Sequence, residues 1–443
     1  MNSAATAAGY DTSATPDELP LVTPDEDPFY EPPPGYEQAE PGTVLRSRKV
    51  TIGFLGAIAQ PVGAIQLLYQ TTNLHGDPEV AMTTVLLPAQ RDSELPCPLL
   101  SYQCAIDAVS SRCFPSYAMR LGARPVGAFT QAEYLLVAAA LAQGWAVSVP
   151  DHEGCHGMWG SPREPGYRIL DGVRAALQQE QLGLTPSAPV ALWGYSGGGL
   201  ASAWAAELRR SYAPELNVVG AVLGSPVADP GSVARRLNGS FFAGLAALMI
   251  TALTHVFPGA QQVVEEHATP AGKTLLDEMH TMTTAEAVWR LRHTDIGSYV
   301  DMSADELWDL PEVRHIFEET KLGKSMPDVP VLIVQAVHDG IISVDDIDAL
   351  VQTYDDGGVR VTYHRDRFCG HLLLHPLSTP LTLRWLRDRF ADRPLDEHRT
   401  RTKWPVLFNP ATHLGMLKLA AVTTKVVLGR SVSPIARLTA AGR

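Results

Sequence analysis

The sequence predicts an α/β protein in which a mostly parallel central sheet, covered by helices on both faces, is interrupted late in the chain by an all-helical block. Three observations lead there. Short apolar, partly β-branched runs alternate with longer helix-like ones, the pattern of strand–helix–strand units. That alternation stops between about residues 228 and 327 and then resumes. Finally, a glycine-flanked serine in "VALWGYSGGGLASAW", residues 190 to 204, sits where a strand gives way to a small-residue helix.

Composition sets the outer limits. The chain has 443 residues, 45% of them hydrophobic and 19% charged, which is enough for a large core and too apolar for a disordered protein. A formal net charge of -13 argues against long-range attraction to nucleic acid or anionic headgroups, so any lipid contact is expected to be apolar. The five cysteines, at 97, 104, 113, 155 and 369, match neither a zinc spacing nor a dense disulfide framework, which leaves room for one or two bridges. The first residues, "MNSAATAAGYDTSATPDELP", lack the basic and apolar regions of a secretory signal. A mature chain, one exported by another route and an intracellular one all stay open. No run reaches the roughly 20 apolar residues needed to cross a bilayer. The nearest, "FFAGLAALMITALTHVF" at 241 to 257, is broken by threonines and a histidine and reads as a helix of a soluble protein.

Taken in order, residues 1–42 are rich in proline and acidic residues and read as a flexible arm, at least in their first half. Residues 43–227 form the first part of the core. Its strands are "VLRSRKVTIG", "AIQLLYQTT", "AMTTVLLPA", "PLLSYQ", "WAVSVPD", the run before the serine and "NVVGAVLGS"; "QAEYLLVAAALAQG" and "YRILDGVRAALQQE" are its helices. Residues 228–327 are the helical cap. Residues 328–392 complete the core with "VPVLIVQAVHDG", "DDIDALVQTY", "VRVTYHRD" and "PLTLRWLRDRF". Residues 393–443 hold two apolar patches, "WPVLF" and "LGMLKLAAVTTKVVLG", whose fold the pattern leaves open.

Gly194, Ser196 and Gly198 spell G-x-S-x-G, the nucleophile elbow of the α/β-hydrolase fold, where a tight strand-to-helix turn lifts the serine hydroxyl above the sheet edge. A serine hydroxyl is a weak nucleophile at neutral pH, so it needs a histidine base, which in turn needs an acid to fix its tautomer. In this fold the order is serine, acid, histidine. Asp339 follows the apolar run "VPVLIVQ", whereas Asp345 and Asp346 sit where a helix should begin and read as capping residues. His371, in the loop-like "RFCGHLLLHP", is preferred as base over His364, which falls on a strand, and His375, which precedes a proline. One oxyanion donor is expected from the backbone N–H of Gly197, and the second from the stretch "SYQCAIDAVSSRC".

Several stretches together, "DEDPFY", "SRKV", "QTTN", "DAVSSRCFPSY", "PDHEG", "LDGVRAAL", "GYSGG" and "YAPELNVVGA", resemble the secretory lipase family over about residues 26 to 390. The resemblance implies a serine hydrolase of lipid esters with the triad Ser196, Asp339 and His371, and with the backbone N–H of Asp107 as second oxyanion donor. It also implies that the cap is a lid able to touch a lipid interface, and a secreted or cell-envelope location. The family has a turn like "DHEGCHG" without metal. That cluster of His152, Glu153, Cys155 and His156 is therefore expected to border the active site, and neither metal nor cofactor is called for. Small or secondary-metabolite esters, acyl transfer to an alcohol and a silent binding protein are the rival readings.

Overall fold

The computed structural model describes residues 21–89, 96–395, 399–403 and 410–432. Twelve strands are described: β1 (Val44–Lys49), β2 (Ile52–Phe54), β3 (Ile58–Gln60), β4 (Gly63–Thr72), β5 (Pro78–Leu87), β6 (Leu99–Gln103), β7 (Ala146–Pro150), β8 (Val190–Tyr195), β9 (Val218–Gly224), β10 (Val331–Ala336), β11 (Val361–Asp366) and β12 (Arg399–Lys403). Ten of them form one sheet in the order β1-β4-β5-β7-β6-β8-β9-β10-β11-β12, and β2 pairs with β3 in a separate hairpin. The pairs β1–β4, β4–β5 and β5–β7 are antiparallel. From β7 onward every pair is parallel. The central strands β6, β7, β8 and β10 are buried along their whole length, which is why they read as continuous apolar runs rather than alternating ones.

The core helices are α1 (Pro115–Ala118), α2 (Thr130–Leu141), α3 (Glu164–Gln178) and α4 (Gly197–Tyr212). Between β9 and β10 the chain makes no strand and forms α5 (Pro230–Leu237), α6 (Ala243–Val256), α7 (Pro258–His267), α8 (Pro270–Met279), α9 (Thr284–Arg290), α10 (Ala304–Asp309) and α11 (Pro311–Thr320). Then come α12 (Val344–Asp356), α13 (His371–Phe390) and α14 (Pro410–Val427). The seven helices α5–α11 form an insertion between β9 and β10. Its apolar helix α6 is buried on two sides: Met249 meets the Gly160 turn of the core, while Ala247, Ile250 and Leu253 line a cavity of about 100 Å³ inside the insertion. Both neighbours demand apolar side chains, so most of α6 is apolar, with His255 near its C-terminal end left exposed.

Two expectations change. The second half of the N-terminal arm is packed rather than loose: Tyr30 is buried with its hydroxyl 2.5 Å from Ser116 Oγ, and Asp27 pairs with Arg48 at 2.6 Å. Aromatic burial and an ion pair outweigh the proline-rich composition there. The expectation for residues 1–20 lies outside the described residues. Helix α13 starts at His371, well before "PLTLRWLRDRF", and runs through Pro376 and Pro380. Each proline costs an intrahelical hydrogen bond, yet Leu374, Leu383 and Leu386 are buried along the same helix and hold it together. The patch "LGMLKLAAVTTKVVLG" lies largely in α14, whereas "WPVLF" falls outside the described residues. None of Cys104, Cys113, Cys155 and Cys369 is in a disulfide.

Candidate active site

Ser196 lies between β8 and α4 with φ 56° and ψ -120°, a conformation that only a strongly determined turn holds in a non-glycine residue. The turn is possible because strand and helix touch at glycines. A Cβ on Gly198 would collide with the Gln103 carbonyl of β6, and one on Gly194 with the backbone of Gly198. Asp339 follows β10 and His371 follows β11, so all three groups stand at the carboxyl ends of parallel strands of one sheet, with β9 between β8 and β10. Their side chains meet: Ser196 Oγ is 3.0 Å from His371 Nε2, and His371 Nδ1 is 2.7 Å from Asp339 Oδ2. Asp339 Oδ1 accepts the N–H groups of Ile341 at 2.8 Å and Ile342 at 2.9 Å. Burial pushes this carboxyl upward, but the hydrogen bond and charge of His371 and the two amides outweigh it and hold Asp339 below the usual aspartate range.

The competing residues stand elsewhere. Asp345 and Asp346 occupy the first turn of α12 behind the N-cap Ser343. His364 lies on β11. His375 is sealed one turn beyond His371, its ring stacked on Tyr195 at 4.2 Å, 3.3 Å from the Tyr102 hydroxyl and 3.7 Å from Glu133. Burial, then the neighbouring His371 charge, pushes it down to about 3.

The oxyanion side departs from expectation. Gly197 opens α4, and among the described residues its N–H has no acceptor, which leaves it free at the positive end of the helix dipole next to Ser196. The Asp107 N–H, expected as the second donor, instead donates to Glu153 Oε1 at 3.0 Å. The reason is local: Asp107 has φ 46°, which turns its amide inward toward the "DHEG" turn. That turn braces the whole loop, with His152 Nε2 2.9 Å from the Cys104 carbonyl and Asp151 accepting the Ser116 N–H at 2.9 Å. What Asp107 offers Gly197 is its carboxyl. A Cβ on Gly197 would collide with Asp107 Oδ1 and stand 2.9 Å from Trp159 Nε1. Among the described residues, Asp107 Oδ1, Trp159 Nε1 and Glu153 Oε2 are buried without a hydrogen-bond partner. Burial, opposed only by the His371 charge, pushes Asp107 up to about 7. Burial, and then the Asp107 charge, raises Glu153 well above the usual range.

Matching the secretory lipase family model over residues 119–398 decides the family. The chain belongs to it. A protein of Mycobacterium tuberculosis named a probable inactive lipase is 59% identical over 414 residues, covering 94% of this chain and 93% of its own. Lipase A of Arthroderma benhamiae is 35% identical over 93% of this chain and 90% of its own. Among solved structures, lipase A of Candida antarctica superposes with a TM-score of 0.81 at 27% identity, over 91% of this chain and 95% of that one, and it shares the α/β-hydrolase fold. Within this family member, sequence reasoning missed how His371 is held. Tyr195, the variable residue of the elbow motif, donates from its hydroxyl to the His371 carbonyl at 2.6 Å and accepts from Ser225 Oγ at 3.0 Å. Nothing in the local sequence signals that bond, because its partners lie 176 and 30 residues away.

Proposed function

We propose that the chain is a serine hydrolase of hydrophobic esters, lipid esters foremost, working through an acyl-enzyme. The observation that carries this reading is the unbroken hydrogen-bonded path from Ser196 Oγ through His371 to Asp339. Ser196 Oγ attacks the ester carbonyl carbon while His371 Nε2 takes its proton, and Asp339 stabilises the imidazolium. Collapse of the tetrahedral species returns that proton to the departing alcohol. Water, deprotonated by His371, then frees the acid from Ser196. For the oxyanion, the Gly197 N–H is one donor. The second is the Asp107 carboxyl: with its pKa near 7 it keeps its proton on the acid side of neutrality and can donate an O–H, as a carboxylic acid held neutral by an apolar site does. The insertion is read as the lid, and the apolar cavity beside α6 as the place for part of an acyl chain, where each buried methylene contributes about 0.8 kcal/mol.

A second reading is favoured by the printed name of the M. tuberculosis relative: a catalytically silent member that binds without turning over. A fluorophosphonate probe separates the two. It should label the parent chain and not Ser196→Ala; failure to label the parent would favour the silent reading. An ester panel from acetate to emulsified triglyceride then sets the substrate class. Medium and long acyl chains should be hydrolysed at least as efficiently as acetate. Bulky substitutions between Phe241 and Met249 should shift the preference toward short chains, and activity confined to acetate and butyrate with no such shift would leave a carboxylesterase.

A further inference from the structure

The net charge of -13 averages two unlike parts of the chain. Residues 381–443 carry twelve Lys and Arg against four Asp and Glu, a net of +8, which leaves 23 basic against 44 acidic residues, or -21, for residues 1–380. From His398 onward there is no acidic residue at all. Screening over about 10 Å at ordinary salt lets a local patch act by its own sign, whatever the distant charge.

Helix α14 displays that part of the chain. Thr412, Leu419, Val422 and Val426 face inward and are buried. Outward stand Leu414 (64% exposed) and Leu417 (69%), with Lys418 exposed beside them and Leu428 (57%) just past the helix end. Next to the helix, a groove of about 240 Å³ against α13 combines apolar Leu383 and Leu419 with Arg384, Arg387 and Lys418. Arg387 bonds Gln143 Oε1 at 2.5 Å. Among the described residues, none of Arg384, Arg387, Lys418, Lys425 and Arg430 takes part in a salt bridge. Leucines left in water beside unpaired cations mark a surface built to meet something apolar and anionic.

We propose that the outer face of α14, with its groove, docks the protein onto an anionic lipid bilayer. The leucines would enter the boundary between headgroups and acyl chains, and the long basic side chains would reach back to the phosphates. The charge complements such a leaflet, to which each Lys or Arg near the surface adds roughly 1 kcal/mol, about a fivefold change in partition. A nucleic acid fits less well, because its backbone rewards cations and offers nothing to exposed leucines. The helix lies on the membrane rather than through it, since no described helix is long and apolar enough to cross one. The proposal holds whether or not the chain is an active hydrolase.

Co-sedimentation of the full chain with vesicles tests it. Vesicles containing about a third phosphatidylglycerol should bind at least roughly tenfold more protein than phosphatidylcholine vesicles, and high salt should abolish the difference. Arg384→Glu with Lys418→Glu, both exposed positions, should lower partition by roughly 20-fold or more while leaving hydrolysis of a soluble ester and the melting temperature unchanged. Leu414→Ser with Leu417→Ser should weaken binding and keep its salt dependence. Equal binding to both vesicle types, or binding untouched by the charge reversals, would overturn the proposal. So would retention on DNA without vesicle binding, or a dimer that the leucine substitutions dissolve in a chain that binds no vesicles.

Discussion

The two flanks of Ser196 solve the problem of buried charge in opposite ways. On the histidine flank, Asp339 has two backbone amides and His371 around it and stays ionised. On the oxyanion flank, Asp107, Asp151, Glu133 and Glu153 are buried and all four are pushed up: Asp107 and Asp151 to about 7, Glu133 to about 8, and Glu153 well above the usual glutamate range. Burial is the leading cause in each. The difference teaches that a buried carboxyl here holds a proton unless hydrogen bonds and an adjacent histidine charge together outweigh its desolvation, as they do at Asp339. One flank can therefore stabilise a cation and the other can donate to an anion, from the same residue types.

The sharpest way to break the contrast is on the ionised flank. Asp339→Asn and His371→Ala should each lower kcat by about 10³ to 10⁴, and the losses should not add in the double variant, because the three groups act as a unit. Steady-state kinetics on a chromogenic ester checks this, with His375→Ala as comparison. His375 is neutral down to about pH 3 and bonded away from Ser196, so its loss should cost less than tenfold. If His375→Ala proves dead and His371→Ala active, the choice of base is wrong.

On the protonated flank the expected effects are smaller. Asp107→Ala removes the proposed carboxyl donor and should cost about 10² in kcat. Asp107→Asn keeps a donor that cannot ionise, so its activity should persist above pH 7, where the parent loses the Asp107 proton. Identical alkaline limbs in the two pH profiles would refute the carboxyl as donor.

The smallest effect is on stability. The four raised carboxyls hold protons in the folded state that the unfolded chain releases above about pH 4. Their contribution is complete below that pH, and for Asp107, Asp151 and Glu133 it disappears as pH rises through 7 to 8. His152, pushed down to about 4, and His375, down to about 3, work the other way, and their stability is lost as pH falls from about 6.5 through those values. The melting temperature should therefore be higher near pH 5 than at pH 8, by a few degrees. A flat or opposite profile would mean that water reaches these carboxyls in solution.

Most of this architecture was legible in residue order. The strand runs, the broken alternation and G-x-S-x-G are local signals, and each acid or base candidate could be placed by the strand it follows. What stayed hidden depends on partners distant in sequence. Glu153 capturing the Asp107 amide and Tyr195 holding the His371 carbonyl join segments that no window of 15 residues contains together. The prolines of α13 misled for the same reason, since the burial that holds the helix around them is tertiary.

The insertion between β9 and β10 also bears on how the chain folds. Ala221 lies opposite Val331 in register, so two adjacent parallel strands must find each other across the whole of α5–α11. Closing a loop of that length as open chain is slow, and the growing sheet would wait with unpaired edges. Helices form from local contacts and can collapse first, drawing Gly224 and Val331 together before the strands pair. Mutations that loosen α6 should then slow refolding of the entire sheet, including strands that never touch the insertion.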